Sequence, residues 1–265
     1  MPHPRPSAIR HILAHHLGEE IADADRERLV PHAAGLTAAG IDGAIREARA
    51  RVREAGHAFG RADLEAVLIR PFLLAQDLLW RIAVHEAGHV LVGLRLTRGM
   101  PVRVSAAPRA ARVEWTWPAP PLTRTEIEAQ LALMLAGRAA EEIIIGEASA
   151  GAGGGAESDL ARATQLALHL ELRTSLGASS FLWRTNPETA LDADPELRAR
   201  VAAHLDAGLA RARKVLRREL TPVINLADVL LNLRIVEGEE LQVAMRQTGL
   251  VRRDGSTRSD AASPR

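Results

Sequence analysis

Apolar residues along the chain recur mostly with helical spacing. Ile9, Ile12 and Leu13 mark a short amphipathic helix, with Ser7 as its expected cap. Thr37 precedes a second run, Ile41, Ile45 and Val52, which ends near Gly56. Arg61–Ile69 reads as a third short helix that Pro71 stops or kinks. From Phe72 to about Thr97, Leu, Val and Ala positions predict one long helix, broken by Arg98-Gly99. The period then changes to two. Val102 and Val104 alternate with Arg103 and Ser105, and Val113, Trp115 and Trp117 alternate with Glu114 and Thr116. Two short strands are therefore predicted, Pro101–Ser105 and Arg112–Trp117, followed by a Pro118–Pro121 loop. Thr123 or Thr125 caps the next helix, which runs to about Ile145 and ends at Gly146. Ala148–Glu157, with Gly151 and Gly153-Gly154-Gly155, reads as a flexible loop. A helix from Ser158 or Asp159 to about Leu176 follows, then an irregular stretch over 177–194. Residues 195–220 predict an Arg-rich amphipathic helix, and Pro222 leads into another through Leu226, Val229, Leu230 and Leu233. Glu237–Met245 is a last short helix, and the Ser-, Asp- and Arg-rich tail from Arg252 is expected to be disordered.

Composition supports a helical reading. Ala, Leu and Arg dominate, and 47% of the 265 residues are apolar, enough for one large domain or two modest ones. The formal net charge of +1 is too small for a dedicated nucleic-acid binder, so no nucleic-acid partner is expected. The absence of Cys excludes disulfides, thiolate metal sites and a cysteine nucleophile, and fits a cytosolic chain. No apolar run reaches the roughly 20 residues needed to span a bilayer, and MPHPRPSAIRH lacks a signal-type stretch, so no membrane segment is expected. The single lysine, Lys214, is followed by Val215 and has no Gly before it, so the chain carries no Walker A motif.

His85-Glu-Ala-Gly-His89 lies in the middle of the predicted long helix. At about 3.6 residues per turn, positions 85 and 89 fall on one face, one turn apart. Two imidazoles so placed can converge on one tetrahedral metal. Glu86 lies to the side, near the open coordination position, where it can take a proton from metal-activated water. Zinc suits the task as a redox-inert Lewis acid. Three matching positions can arise by accident, but the setting argues otherwise. Two His and a Glu on a largely apolar helix are costly to bury without a reason. The histidines nearer the N-terminus (His3, His11, His15, His16, His32, His57) form no ligand pattern and read as solvated or structural.

A catalytic zinc takes three protein ligands. A third His in the same helix is absent, because Val92 and Arg95 stand where the longer motif needs Gly and His. The candidates are downstream carboxylates, Glu141, Glu142, Glu147, Glu157 and Asp159, and spacing does not choose among them. A thermolysin-like arrangement would favour Glu141 or Glu142. An exposed, salt-bridged face is the alternative for both.

Several segments together resemble the peptidase domain of the FtsH-type AAA metalloproteases. They are His85-Glu-Ala-Gly-His89, Leu135-Ala-Gly-Arg-Ala-Ala-Glu-Glu-Ile143 with Gly146-Glu147, and Ser158-Asp-Leu-Ala-Arg-Ala-Thr164, in that order and at similar spacing. Pro108-Arg109 is similar to that family's strand region, and Ala210–Leu241 to its C-terminal helices. Arg10-His-Ile-Leu and Gly35-Leu-Thr-Ala-Ala-Gly-Ile-Asp42 resemble the helical lid that ends its ATPase module. The resemblance implies that Asp159 is the third ligand, in preference to Glu142. It implies a mainly α fold: a lid-like module over 1–70, a helical metallopeptidase domain with a small β-hairpin over 72–247, and a disordered tail over 248–265. It also implies a Zn2+ endopeptidase with Glu86 as catalytic base, a homo-hexamer, and unfolded or extended polypeptides as substrates.

Two features depart from that family. The Gly-rich loop before Asp159 is longer than usual, and the residues present include neither nucleotide-binding part nor membrane anchor. The chain is then expected to be the separated C-terminal half of a larger protease with an upstream ATPase, to work with an AAA ATPase in trans, or to act alone on unfolded chains. The expected place is the cytoplasm, or the inner membrane through a partner. An exposed edge of the 102–117 hairpin is a candidate for binding substrate by strand addition. The rival readings are an inactive assembly or adaptor relative, with His85 and His89 merely structural, and a metal-dependent hydrolase of another substrate class.

Overall fold

A computed structural model of the chain describes residues 4–69, 76–108, 110–120, 123–178 and 187–251. Four helices come first: α1 (Pro6–Leu17), α2 (Asp23–Ala33), α3 (Ala38–Ala55) and α4 (Arg61–Ile69). Ser7 does not cap α1. Arg5 stands at the N-cap with Pro6 at the first helical position, where a proline's locked φ and missing N–H cost nothing. Thr37 does cap α3, its side chain accepting from the Gly40 N–H, and Gly56 ends that helix in the left-handed conformation. The four helices share an apolar core of Ile9, Leu13, Leu29, Ile41, Ile45 and Leu64, which also takes in Ala107 and Ile235 from further along the chain.

The long central helix α5 (Gln76–Leu96) leads into β1 (Met100–Ser105) and β2 (Arg112–Thr116). Residues 70–75, including Pro71 and the expected start of α5 at Phe72, lie outside the described residues, as does Arg109. The expected hairpin forms, but it belongs to a three-stranded antiparallel sheet of order β2-β1-β3, with β3 at Ile235–Glu237. Three residues are too few to show an alternating pattern, so β3 is not readable from sequence. β1 is therefore the central strand, paired on both sides over Arg103–Ser105, and β2 is an edge strand.

Arg103 pairs in register with Glu114 of β2 and Glu237 of β3, its guanidinium 3.5 and 3.6 Å from their carboxylates, and ties all three strands together. Across β2 from Glu114, Trp115 packs on α5 at Gly93 and Trp117 on the following turn at Gly99.

The helix expected from Thr123 to Ile145 is two helices, α6 (Arg124–Met134) and α7 (Ala136–Ile144). Thr123 caps α6 in a reciprocal capping box with Glu126. The break is at Leu135 (φ −94°, ψ 2°), and no Gly or Pro precedes it to announce it. Ala148–Glu157 contains a short 3-10 turn at Ala150–Ala152, capped by Ser149. Then come α8 (Asp159–Arg173), α9 (Pro187–Ala193), α10 (Pro195–Leu216), α11 (Leu220–Leu233) and α12 (Gly238–Thr248). α9 lies in the stretch expected to be irregular; seven residues opening on a proline give little helical periodicity. The chain stays anchored past 248, because Leu250 is buried and the Val251 carbonyl accepts from Arg95.

α5 is the axis of the second core. Val84, Ala87, Leu91 and Val92 are buried among Ala136 and Ala140 of α7, Leu216 of α10, Leu226 and Leu230 of α11, and Val104 of β1. A third core joins α6, α8, α9 and α10 through Leu131, Leu168, Ala190 and Leu197. No helix among the described residues is long and apolar enough to cross a membrane.

A Cβ at Gly93 would overlap the Trp115 ring. Gly93→Ala is expected to displace the indole and to cost about 1–3 kcal/mol, as overpacking does. Urea unfolding reads the stability and near-ultraviolet circular dichroism reads the ring. Unchanged values in both would mean that β2 is not seated on α5 as described.

Candidate metal centre

His85 and His89 stand one turn apart on α5, and both are buried, as is Glu86. α7 crosses this turn at very short range, which two glycines allow. A Cβ on Gly88 would lie 2.9 Å from the Ala136 carbonyl oxygen, and a Cβ on Gly137 would enter the His85 ring. The Gly in the sequence between the two histidines is thus a contact point for α7, and Gly137 makes room for an imidazole.

The outer nitrogen of each ring is already committed. His85 Nδ1–H donates to Glu141 Oε1 at 2.7 Å. Glu141 in turn accepts from Arg81 Nη1 at 2.9 Å and from the Ser149 N–H at 2.7 Å. Arg81 also donates to the Glu147 carbonyl at 2.8 Å. His89 Nδ1–H donates at 2.8 Å to the carbonyl of Leu133, in the last turn of α6 just before the break at Leu135. These bonds leave both Nε2 atoms facing inward.

Asp159 completes the cluster from a distant part of the chain. It is the first residue of α8, held there by Ser158, whose side chain accepts from the Ala161 N–H at 3.3 Å. Asp159 Oδ2 lies 3.1 Å from His85 Nε2 and 3.1 Å from His89 Nε2. Four bonds of 2.0–2.1 Å in a tetrahedron put neighbouring ligand atoms about 3.3 Å apart, so two imidazoles and one carboxylate at this spacing fit a tetrahedral zinc. Among the described residues, these three make the one group of His, Asp and Glu side chains close enough to hold a metal ion.

The electrostatics call for positive charge at that point. Burial disfavours the His85 imidazolium, but hydrogen bonds with Asp159 and Glu141 and the charge of Glu86 outweigh it and carry its pKa up to about 10. Burial works to raise Asp159 as well, yet its hydrogen bonds with His85 and His89 hold it well below the usual carboxylate range. Glu86 goes the other way: burial pushes it up to about 6, against the pull of His89 and His85.

Of the carboxylates weighed as third ligand, Asp159 alone reaches the inward nitrogens. Glu141 sits on the outer nitrogen of His85 instead. Glu142 is taken up by Arg213 at 2.5 Å and Arg138 at 3.0 Å. Glu147 is exposed and pairs with Arg81 at 3.3 Å, and Glu157 is exposed. The role of Arg81 was open to sequence reasoning, because 81, 85 and 89 share one helical face. The Leu133 carbonyl was not, since its availability depends on an unannounced helix break.

The cluster lies in a cleft of about 1540 Å³, walled by Trp115 and Trp117 on the β2 side and by Leu133, Met134 and Leu166 opposite. The two indole centroids are 5.6 Å apart.

Comparison with known proteins places the chain in a family. Residues 77–243, from α5 into α12, match peptidase family M41, and the chain belongs to that family. It is 31% identical over 263 residues to the ATP-dependent zinc metalloprotease FtsH of Methylococcus capsulatus, an alignment covering 85% of this chain and 40% of that protein. It is 34% identical over 184 residues to the ATP-dependent zinc metalloprotease FtsH of Syntrophobacter fumaroxidans, covering 61% and 28%. It is 42% identical over 105 residues to the ATP-dependent zinc metalloprotease FtsH 2 of Symbiobacterium thermophilum, covering 37% and 17%. The chain thus spans two fifths or less of the length of these curated relatives.

Gly137→Ala tests the α5–α7 contact. The added methyl is expected to turn the His85 ring off its bond with Glu141 and to weaken divalent-metal affinity by about 10- to 100-fold, the usual cost of disturbing a ligand's outer partner. Competition with a chromogenic chelator measures it; undiminished affinity would show that the ring has room to spare.

Proposed function

We propose that the chain is a zinc endopeptidase in which His85, His89 and Asp159 hold Zn2+ and Glu86 is the general base. The observation that carries this reading is the convergence of two inward Nε2 atoms and one carboxylate oxygen, each ring locked from behind, next to a buried carboxyl raised to about 6. A bound zinc supplies Lewis acidity, polarising a scissile carbonyl and acidifying water. Glu141 and the Leu133 carbonyl keep both imidazoles in one tautomer and one orientation. Glu86, buried beside the two histidines, takes a proton from the attacking water and returns it to the leaving amine.

The substrate is an unfolded or extended polypeptide. β2 is the sheet edge that borders the cleft, and Arg112, Val113 and Trp115 reach its lining. Strand addition to β2 would lay an extended chain along the cleft with its backbone groups paired. Residues 1–70 act as a lid-like module and 72–247 as the peptidase unit. The relatives are named ATP-dependent, and this chain has no Walker A lysine, so ATP-driven delivery falls to a nucleotide-binding module outside these residues, joined or in trans. A homo-hexamer is the expected assembly.

Zinc analysis together with cleavage of unfolded casein tests the assignment. Wild type should carry about one zinc per chain and cleave. Glu86→Gln should keep the zinc and lose about 10²- to 10⁴-fold in turnover. Asp159→Asn should lose zinc and activity together. A folded wild type that takes up no zinc would sink the reading and leave an assembly or adaptor module.

Strand addition is checked separately with peptides carrying single N-methyl amides. Methylation at alternate positions should lower kcat/KM by about 10-fold or more, because each removes one donor from the ladder and adds a clash. A flat response along the peptide would rule out pairing with β2.

A further inference from the structure

Behind the wall made by Trp117 and the Pro118-Ala119-Pro120 segment lies a second, smaller cavity of about 520 Å³. It and the metal cleft share Trp117, Pro118, Ala119, Pro120 and Gln130, so the two spaces adjoin across one thin partition. An extended chain leaving the cleft along β2, in the direction of Trp117, arrives there.

The cavity has an apolar side and a cationic side. Trp117 remains 37% exposed although its ring is seated on Gly99, so the indole is a fixed surface and not a collapsed one. Pro118 and Pro120 extend that surface. Arg95, Arg98 and Arg218, with Glu126 and Glu219, also line the cavity. Most of this charge is committed. Arg95 binds Glu219 through Nε and Nη2, at 3.0 and 2.8 Å, and the Val251 carbonyl at 2.8 Å. Glu126 closes the capping box of α6 and lies 3.9 Å from Arg98. Arg218 differs: it is exposed, and among the described residues its side chain makes no ion pair or hydrogen bond. An uncommitted guanidinium on the cavity lining can grip a carboxylate in a bidentate pair.

We propose that this cavity is a distal subsite of the metal cleft. It takes an apolar residue against Trp117 and the two prolines, and a carboxylate on Arg218. The carboxylate comes from an acidic side chain or from the polypeptide's own C-terminus. The occupant's being a polypeptide rests on the peptidase reading; the carboxylate preference rests on the cavity alone.

The test is fluorescence anisotropy of labelled decapeptides on the zinc-loaded Glu86→Gln protein, which separates binding from cleavage. Three peptides share a Leu-rich sequence: one with an internal Glu and an amidated end, one with Gln in its place, and the Gln peptide with a free C-terminus. At least one carboxylate peptide is expected to bind about fivefold tighter than the neutral one, and which of them does so identifies the source. Arg218→Glu in the same background should erase that preference and favour a Lys-containing peptide, and Trp117→Ala should weaken all of them. Equal Kd values for the three, no measurable binding, or a preference that survives Arg218→Glu overturns the subsite. A carboxylate preference in a protein whose wild type cleaves nothing would leave the subsite standing and sink the peptidase reading. Cleavage without the preference would do the reverse.

Discussion

The site depends on the contact between α5 and α7, where backbone meets side chain with no Cβ between them. Gly88 lets Ala136 and Ala140 come down onto α5, and Gly137 gives the His85 ring a place to lie. That approach brings Glu141, one turn further along α7, to 2.7 Å from His85 Nδ1. Glu141 is then satisfied by Arg81 and by the Ser149 N–H, the latter from the loop that leads to Asp159. One helix crossing therefore fixes an imidazole, its partner carboxylate and the start of the segment that carries Asp159. A buried carboxylate is tolerable here because every oxygen has a donor.

The break between α6 and α7 serves the same end. A continuous helix would spend the Leu133 carbonyl on the N–H of Gly137, four residues on. With Leu135 out of helical geometry, that carbonyl accepts from His89 instead. The α-helical ladder is interrupted where His89 needs an acceptor, so the local irregularity is part of the cluster's construction.

How much of this was legible follows from range and length. His85, Glu86 and His89 are readable because their relation lies within one turn of one strongly apolar helix. The capping signals at Thr37 and Thr123 are equally local, and the structure keeps them. Asp159 is 70 or more residues from both histidines, and no periodicity links it to them. Only the likeness of Ser158-Asp-Leu-Ala-Arg-Ala-Thr164 to a family motif singled it out, while residue chemistry alone leaned towards Glu141 or Glu142. Glu141 lies on the outer nitrogen of His85 and does not reach the inward ones. β3 and α9 were missed because three and seven residues carry too few periods to register. Ser7 lost the cap of α1 to a proline effect one position earlier.

The Arg-rich helix α10 shows the same logic in its charges. Read as a linear pattern, its arginines suggest a polar face turned to solvent or to a partner. In the fold, Arg213 reaches back to Glu142 on α7, and Arg200 with His204 holds the buried Glu171 of α8. Glu171 also accepts from the Ala178 N–H, which ties the turn after α8 to the same point. α10 thus pins two helices beside the cluster, α7 with Glu141 and α8 with Asp159. Two of the cations on this helix, Arg200 and Arg213, are thus spent on carboxylates of neighbouring helices, and they brace the fold from outside the cluster.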